Sequence, residues 1–275
     1  MERIIVPIGP SIFNSGIYFN HQDNYIYRIN GAHSDSESLV QMVQLIRKEI
    51  SNPKILIDLP GNKIRTAKIH GPIKLVQNES FTLNKQNINF PNFLNYIKIG
   101  QTVYADDSTL RFRVEKINDN EIKFLSFSNG YLKNGKGLHV RGIHSKIPFL
   151  LQADLDLINA ANKVKLDFIG LSFVRNNSDI NHAKELINKD ISVIPKVETL
   201  SAVRNIDEIL TNNDYILVDR GDLSTDVGLE KVPIFQNYII QKVNEHKKGF
   251  FLATQFLKNM ELNPIPTIAE INDLY

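Results

Sequence analysis

Charged side chains follow several of the short apolar runs of the chain, and their types suit chemistry on a phosphorylated anion. The members of this set are Arg28, Asp58, Arg65, Lys196, Glu198 and Asp222. Carboxylate oxygens are ligands that Mg²⁺ prefers, and lysine and arginine pair with phosphate and carboxylate groups. Together these residue types indicate a site for an anionic, phosphorylated substrate and a divalent metal ion.

The apolar runs indicate the framework that positions these side chains. They are rich in Val, Ile and Phe and cover 4–8, 25–29, 55–59, 168–174, 193–197, 215–218 and 250–253. Segments with a helical spacing of apolar residues separate most of them, at 38–50, 154–164, 178–188, 201–210 and 233–245. Strands that alternate with helices predict a parallel α/β sheet or barrel. In a β/α barrel the carboxyl ends of the strands form the catalytic face.

The stretch 68–139 departs from this alternation. It contains short β-like pieces at 74–76, 102–104, 111–116 and 122–127, and no convincing helix. The sequence Asn118-Asp119-Asn120 is typical of a hairpin turn. We therefore predict an inserted, β-rich lid domain at 68–139 and a discontinuous barrel domain formed by 1–67 and 140–275.

Composition limits the classes of function. Of the 275 residues, 42% are hydrophobic and 23% are charged, which favours a folded globular protein. The net charge of +2 gives no support for a nucleic-acid or membrane partner. The absence of cysteine excludes disulfides and thiolate sites. The polar N-terminus and the lack of a long apolar run lead us to expect a soluble cytoplasmic protein.

Common catalytic motifs are missing from the sequence. It has no Gly-x-x-x-x-Gly-Lys-Ser/Thr loop, no Gly-x-Gly-x-x-Gly, no His-Glu-x-x-His and no Gly-x-Ser-x-Gly. If the protein is an enzyme, its site is therefore assembled from the ends of many strands.

The segments at those strand ends resemble, in order, motifs of the pyruvate kinase family. The motifs are Arg28-x-Asn30-x-x-His33, Asp58-x-x-Gly61-x-Lys63-Ile64-Arg65, Ser172-Phe173-Val174-Arg175, Lys196-Val197-Glu198, Asp219-Arg220-Gly221-Asp222-Leu223 and Ala253-Thr254-Gln255. Each is weak alone, but their common order and spacing are specific. The resemblance covers almost the whole chain. It implies a TIM-type β/α barrel with a β-rich lid inserted after the third strand.

The resemblance also implies an activity, which is phosphoryl transfer between phosphoenolpyruvate and ADP to give pyruvate and ATP. Glu198 and Asp222 would hold Mg²⁺ or Mn²⁺. Lys196 would be the catalytic cation beside the transferring phosphoryl group, and Arg28 would hold the phosphate. Such catalysis is electrostatic and needs little covalent chemistry from the protein.

The same resemblance assigns the remaining site residues. The substrate carboxylate would bind to the backbone at Gly221 and Asp222 and to the hydroxyl of Thr254, a catalytic candidate, with Ser172 nearby. The nucleotide phosphates of ADP or ATP would lie under the lid, against Asn30, His33 and Arg65.

Several substitutions bear on the monovalent cation that many family members require. Ala32 and Leu59 stand where those members have Ser and Thr, and Lys63 stands where they have Glu. This pattern resembles the K⁺-independent branch, in which a lysine ammonium takes the place of the cation. We therefore predict that K⁺ is not required and that Lys63, paired with Asp58, replaces it.

Other departures concern the substrate site and the extent of the barrel. Pro7 replaces a family Thr, Asp219 replaces a small Ala beside the carboxylate site, and the segment between Pro10 and Arg28 is short. The sequence stops within what resembles the seventh helix, without the family's eighth strand and C-terminal domain. We expect a truncated barrel of about seven strands, with a second copy or a partner protein covering its open edge.

Two alternatives to the kinase hypothesis remain open from the sequence. Asp219 and Pro7 are compatible with another phosphoryl acceptor, or with a lyase or aldolase that acts on a pyruvate enolate. The chain is also compatible with a non-catalytic binding or assembly module that uses the open barrel edge.

Overall fold

The computed structural model describes residues 3–9, 21–106 and 108–274. The strands, in chain order, are β1 (Ile4–Ile8), β2 (Tyr25–Asn30), β3 (Lys54–Asp58), β4 (Ile73–Leu75), β5 (Ser80–Asn84), β6 (Thr102–Ala105), β7 (Leu110–Ile117), β8 (Glu121–Ser126), β9 (Gly130–Leu132), β10 (Leu138–His139), β11 (Phe168–Leu171), β12 (Ser192–Val197), β13 (Tyr215–Asp219) and β14 (Gly249–Ala253). Much of the short segment noted between Pro10 and Arg28, namely 10–20, lies outside the described residues.

Helices connect most of the barrel strands. They are α1 (Ser36–Glu49), α2 (Gln152–Val164), α3 (Asn177–Leu186), α4 (Leu200–Arg204), α5 (Ile206–Thr211), α6 (Arg220–Val227), α7 (Val232–Glu245) and α8 (Ile268–Asn272). Short 3-10 turns occur at Gly31–His33, Lys85–Asn87, Pro91–Asn95, Ile143–Ser145, Leu229–Lys231 and Lys258–Glu261. Among the described residues, no helix is long and apolar enough to span a bilayer.

Helix α1 shows how the local sequence determines these elements. The Asp35 side chain caps the helix by accepting a hydrogen bond from the backbone N–H of Ser38 at 2.9 Å. Leu39, Val43 and Ile46 lie at helical spacing and are buried. The apolar stripe therefore turns one face of α1 onto the sheet.

Seven strands form one curled parallel sheet, in the order β1-β2-β3-β11-β12-β13-β14. The predicted fold class, a TIM-type β/α barrel with an inserted β-rich lid, is confirmed. In the described part of the chain, β1 and β14 are the two edges of this sheet.

Two apolar cores lie on opposite faces of the curled sheet. The outer core lies between the strands and the helices and includes Tyr27, Ile57 and Val218, all essentially inaccessible to solvent. The inner core lines the inside of the barrel and consists of Ile26, Leu56, Phe168, Ile194, Leu217 and Phe251. Because both faces of the sheet are buried, the strand sequences are nearly continuous runs of apolar residues.

The lid consists of antiparallel strands with a hydrophobic core of their own. Its larger sheet has the order β10-β6-β7-β8-β5, and β4 pairs with β9. The predicted hairpin turn at 118–120 connects β7 to β8. The lid core extends past the predicted domain boundaries, since it includes Ile64 on one side and Val140, Ile143 and Ile147 on the other.

One helical prediction needs correction, and one helix was not predicted. The segment 201–210 forms two short helices, α4 and α5, because the chain leaves helical geometry at Asn205, whose side chain donates to the Arg175 carbonyl at 2.9 Å. Helix α6 was not predicted, because its eight residues carry no apolar stripe.

Candidate functional site

A cavity of about 450 Å³ opens between the carboxyl ends of the barrel strands and the lid. The barrel supplies most of its lining, and the lid and its return segment add Tyr104, Ser108 and Arg141. The charged residues that line it are Arg28, Asp58, Lys63, Arg65, Arg141, Lys196, Asp219 and Asp222. The cavity therefore combines cations with carboxylates, as the strand-end residues predict.

The period of the β-strand explains why these charges converge. Side chains at positions i and i+2 of a strand face the same side. Four charged residues stand two positions after a member of the inner core, and so face the barrel interior: Arg28, Asp58, Lys196 and Asp219. The inner core thus forms an apolar floor directly below a charged layer.

Lys196 is the centre of this layer. Its ammonium lies 3.0 Å from Asp58 Oδ1 and 2.7 Å from Glu198 Oε1, and it donates to Ser172 Oγ at 3.1 Å. Burial by itself would lower the pKa of Lys196, but Asp58 and Glu198 outweigh burial and hold the pKa well above its usual value. Lys196 is therefore a permanent cation at neutral pH.

Glu198 is fully buried beneath the cavity floor. Its Oε2 accepts a hydrogen bond from the backbone N–H of Phe173 at 2.8 Å. Its Oε1 contacts the Lys196 ammonium but has no hydrogen-bond partner of suitable geometry in the part of the chain that the structure describes. Burial raises the pKa of Glu198, and the adjacent Lys196 ammonium opposes this rise by favouring the ionised form. A buried carboxylate oxygen with an unused lone pair is suited to a cation.

Three carboxylates meet at this point, and the third was not predicted as a ligand. Glu198, Asp219 and Asp222 each offer an oxygen within 4.8 Å of the others. Hard oxygen donors in this number fit Mg²⁺ or Mn²⁺, which complete their coordination with water and substrate oxygens. The residues present therefore fit the divalent ion that the family resemblance implies.

Arg28 and Asp58 form an ion pair beside Lys196. Arg28 Nε donates to Asp58 Oδ2 at 2.9 Å, and Nη2 contacts the same oxygen. The Arg28 side chain keeps 27% of its surface exposed, whereas that of Asp58 keeps 5%. One end of the guanidinium is therefore fixed to the floor, and part of the side chain remains accessible to an anion.

Lys63 has a different partner from the predicted one. Its ammonium lies 2.5 Å from Asp222 Oδ1, whereas Asp58 pairs with Arg28 and Lys196. The structure thus places a lysine ammonium on one of the predicted metal ligands.

The turn after β14 carries Thr254 into the cavity. Thr254 has φ +75° and Gln255 has φ +57°, so both lie in the left-handed region. This conformation is unfavourable for a β-branched residue such as Thr254. The Arg220 guanidinium fixes the turn by donating to the Thr254 carbonyl at 2.8 and 3.0 Å. A Cβ on Gly221 would lie 2.9 Å from Thr254 Cγ2, so glycine is needed for this close approach.

The Thr254 hydroxyl donates a hydrogen bond to Asp219 Oδ1 at 2.6 Å. Burial raises the pKa of Asp219, but the Lys196 ammonium and the Thr254 hydroxyl outweigh it and hold the pKa below its usual value. The Asp219 side chain is therefore an anion within the cavity.

The predicted nucleotide residues are not all brought together. Asn30 and Arg65 line the cavity, and Asn30 Oδ1 also accepts the backbone N–H of Ala32 at 3.0 Å. Arg65 Nη1 donates to the Gly135 carbonyl of the lid at 3.3 Å. His33 is exposed and does not line the cavity, because the 3-10 turn Gly31–His33 ends with its ring turned to solvent.

Sequence reasoning missed several lining residues. Asp219 was placed beside the carboxylate site but not among the metal ligands, although its strand position, two residues after the inner-core residue Leu217, could have indicated that it faces the cavity. Tyr104, Ser108 and Arg141 gave no comparable signal, because their place depends on how the lid folds over the barrel.

Comparisons with known proteins agree with the family motifs. The sequence model of the family described as pyruvate kinase, barrel domain, matches residues 2–275. A pyruvate kinase of Clostridium perfringens is 31% identical over 293 aligned residues, covering 99% of this chain and 62% of that protein. A pyruvate kinase of Thermococcus litoralis is 33% identical over 266 residues, covering 90% of this chain and 56% of that protein.

A third relative, a pyruvate kinase of Borreliella burgdorferi, is 32% identical over 262 residues, covering 90% of this chain and 55% of that protein. The chain thus spans a little over half of the length of these relatives. The match of the barrel-domain model extends over nearly the whole sequence, and the fold has the strand order and the inserted lid that the motifs imply. This chain belongs to the pyruvate kinase family.

Proposed function

We propose that this protein transfers a phosphoryl group between phosphoenolpyruvate and ADP, giving pyruvate and ATP. The observation that supports the proposal most is the buried Lys196 ammonium, which lies between Asp58 and Glu198 at the floor of the cavity. Relatives that bear the name pyruvate kinase support the same reaction for this chain.

The proposed roles follow from where charge develops. In phosphoryl transfer, negative charge spreads over the oxygens of the moving group. Arg28 would hold the phosphate through the accessible part of its guanidinium, and Lys196 would face both the phosphoryl group and the enolate oxygen. Because the pKa of Lys196 is raised, it would act as a fixed charge and not as a proton donor.

Glu198 and Asp222 are the proposed holders of a divalent ion, with Asp219 beside them. When bound, Mg²⁺ or Mn²⁺ would neutralise charge on phosphate oxygens. The remaining requirement of the site is to keep these carboxylates ionised and close together, which the ammonium groups of Lys196 and Lys63 favour.

The nucleotide would bind toward the lid. Arg65 lines the cavity and donates to the Gly135 carbonyl of the lid, Asn30 lines the cavity at the end of β2, and Arg141 adds a third polar group that the sequence did not reveal. Arginine is suited to the phosphates of ADP because its planar guanidinium can donate two parallel hydrogen bonds. His33 has no part in this proposal, since it lies outside the cavity lining.

We also propose that the reaction needs no K⁺. The Lys63 ammonium lies on the same carboxylate that would hold the divalent ion, and so supplies a monovalent charge at the site from within the chain.

Phosphorus NMR of phosphoenolpyruvate with the pure protein, Mg²⁺ and ADP tests the proposed reaction. We expect ATP to form, and Lys196→Ala to lower kcat on the order of a hundredfold or more, as removal of a fixed electrostatic group does. Lys189→Ala is the matched control, since Lys189 is exposed and does not line the cavity.

The nucleotide dependence separates the proposal from its alternatives. Consumption of phosphoenolpyruvate without ADP would indicate another acceptor or a lyase. Persistence of phosphoenolpyruvate with the wild-type protein, or equal rates for Lys196→Ala and wild type, would refute the proposed reaction.

A further inference from the structure

The junction of β13 and α6 holds a carboxylate of the chain where three hydrogen-bond donors converge. Asp219 is the residue before α6, and its Oδ1 accepts from the backbone N–H of Gly221 at 3.1 Å and of Asp222 at 3.4 Å. The hydroxyl of Thr254 donates to the same oxygen at 2.6 Å.

These donors have the character of an anion-binding position. Free backbone N–H groups at a helix N-terminus favour a negative group, and here a hydroxyl is aimed at the same point. Gly221 and Thr254 both line the cavity, so an anionic group of a ligand in the cavity would meet them. The Asp219 carboxylate already satisfies them.

The surrounding charge makes a second carboxylate unfavourable there. Asp219 offers an oxygen within 4.8 Å of oxygens on Glu198 and Asp222. Glu198 Oε1 is buried beside the Lys196 ammonium, and among the described residues it has no hydrogen-bond partner of suitable geometry. This cluster is suited to a cation, and Asp219 increases its negative charge. A carboxylate brought in by a ligand would face like charges and would find its donors taken.

We propose that Asp219 acts as an internal substitute for a ligand carboxylate: it fills the anion position at the N-terminus of α6 and adds a third carboxylate to the cation cluster. The inference rests on the proposed function only for the class of ligand, a small phosphorylated carboxylate. Its consequence is that the cavity selects ligands by their phosphate, at the arginine side, and gains little from a carboxylate.

Two unreactive ligands separate these contributions. Phosphoglycolate carries a phosphate and a carboxylate, and ethyl phosphate carries the same phosphate with a methyl group in place of the carboxylate. Calorimetric titration in Mg²⁺ measures the ratio of their dissociation constants. We expect the wild-type protein to bind the two with similar affinity.

Replacing Asp219 should change that ratio. Asp219→Ala frees the donors and removes the like charge, so phosphoglycolate should become favoured by about tenfold, the range for hydrogen bonds to a charged group. Asp219→Asn keeps an oxygen that occupies the donors and should show a much smaller gain. If Asp219→Ala does not fold, Asp219→Gly serves instead, because glycine is tolerated at the position before a helix.

The outcomes distinguish this inference from the proposed reaction. An unchanged ratio in Asp219→Ala, an equal gain in Asp219→Asn, or no binding of either ligand to any variant would each overturn it. Because neither ligand is turned over, these results do not depend on phosphoryl transfer. A wild-type protein that binds both ligands but forms no ATP would contradict the proposed function alone.

Discussion

At the scale of single residues, the site consists of ionic contacts between groups far apart in sequence. Lys196 and Glu198 were placed correctly at the strand ends because their motif is local. The partner of Lys63 could not be predicted, because Asp222 lies 159 residues further along the chain. Sequence motifs thus indicate which residues reach the cavity, whereas the contacts among them depend on the curled sheet.

The position of Lys63 leads to a prediction about monovalent ions. Its ammonium already lies 2.5 Å from Asp222 Oδ1 and supplies a monovalent positive charge there, so a bound K⁺ is not needed for that purpose. We expect the same rate of ATP formation in K⁺ and in Na⁺ at equal ionic strength. A strong rise in K⁺ with none in Na⁺ would refute the role given to Lys63.

At the scale of elements, the apolar spacing predicted the long helices well, whereas short elements escaped detection. Helix α6 carries Asp222 but lacks an apolar stripe, so the sequence indicated this segment only through its family motif and not as a helix. The break at Asn205 depends on a side-chain hydrogen bond to a distant carbonyl. Elements that depend on tertiary contacts give no periodic signal in the sequence.

Arg220 connects α6 to the turn after β14 and to the segment beyond α8. It donates to the Thr254 carbonyl, and Nη1 lies 2.7 Å from both oxygens of Asp273. We expect Arg220→Ala to lower the free energy of unfolding by about 2 kcal/mol, as loss of charged hydrogen bonds does. Urea denaturation measures this.

The exposed Arg204 provides the control for that experiment. Arg204→Ala should change the free energy of unfolding by less than about 0.5 kcal/mol, as surface substitutions usually do. Equal stabilities of the two variants would show that the Arg220 contacts contribute nothing.

A buried histidine joins the lid to the barrel and should make stability depend on pH. His144 Nδ1 lies 2.7 Å from Asn62 Oδ1, and its ring stacks on Phe173 with centroids 4.1 Å apart. Burial, followed by the neighbouring His139, lowers the pKa of His144 to about 3.

The direction of this pH dependence follows from comparison with the unfolded chain, in which the pKa of histidine is about 6.5. The folded protein excludes the proton, so this contribution to stability is complete above pH ~6.5 and is lost as the pH falls toward 3. As the pH falls from 7 to 5, protonation of His144 in the unfolded chain alone should lower the free energy of unfolding by about 2 kcal/mol. His144→Gln should reduce the loss, and His182→Gln, an exposed control, should not. An identical pH dependence in all three proteins would contradict a neutral, buried His144.

At the scale of the whole molecule, the parallel sheet was predictable from its apolar runs, and its seven strands pair in the order in which they follow one another along the chain. The edges β1 and β14 remain without a neighbouring strand among the described residues. Near the end of the described chain, Leu262, Ile265 and Ile268 expose 89%, 72% and 83% of their surfaces. Large exposed apolar groups and strand edges without a neighbour each favour association.

We therefore expect the chain to form a dimer or larger assembly in solution. Light scattering after size exclusion should give a mass above the 31.4 kDa of one chain. Ile268→Lys should shift the protein toward the single-chain mass, whereas Ile99→Lys, at an exposed position of the lid, should not. A single-chain mass at every concentration would contradict this expectation.

The strand ends bring carboxylates and a lysine together in a site that we propose holds a divalent ion beside a phosphorylated ligand. Electron paramagnetic resonance of Mn²⁺ titrated into the protein tests it most directly, because the free ion is observed without turnover. We predict that the wild-type protein binds a single Mn²⁺ per chain and that Glu198→Gln and Asp222→Asn each weaken this binding strongly. Failure of the wild-type protein to bind Mn²⁺, or unchanged binding in both variants, would contradict the account.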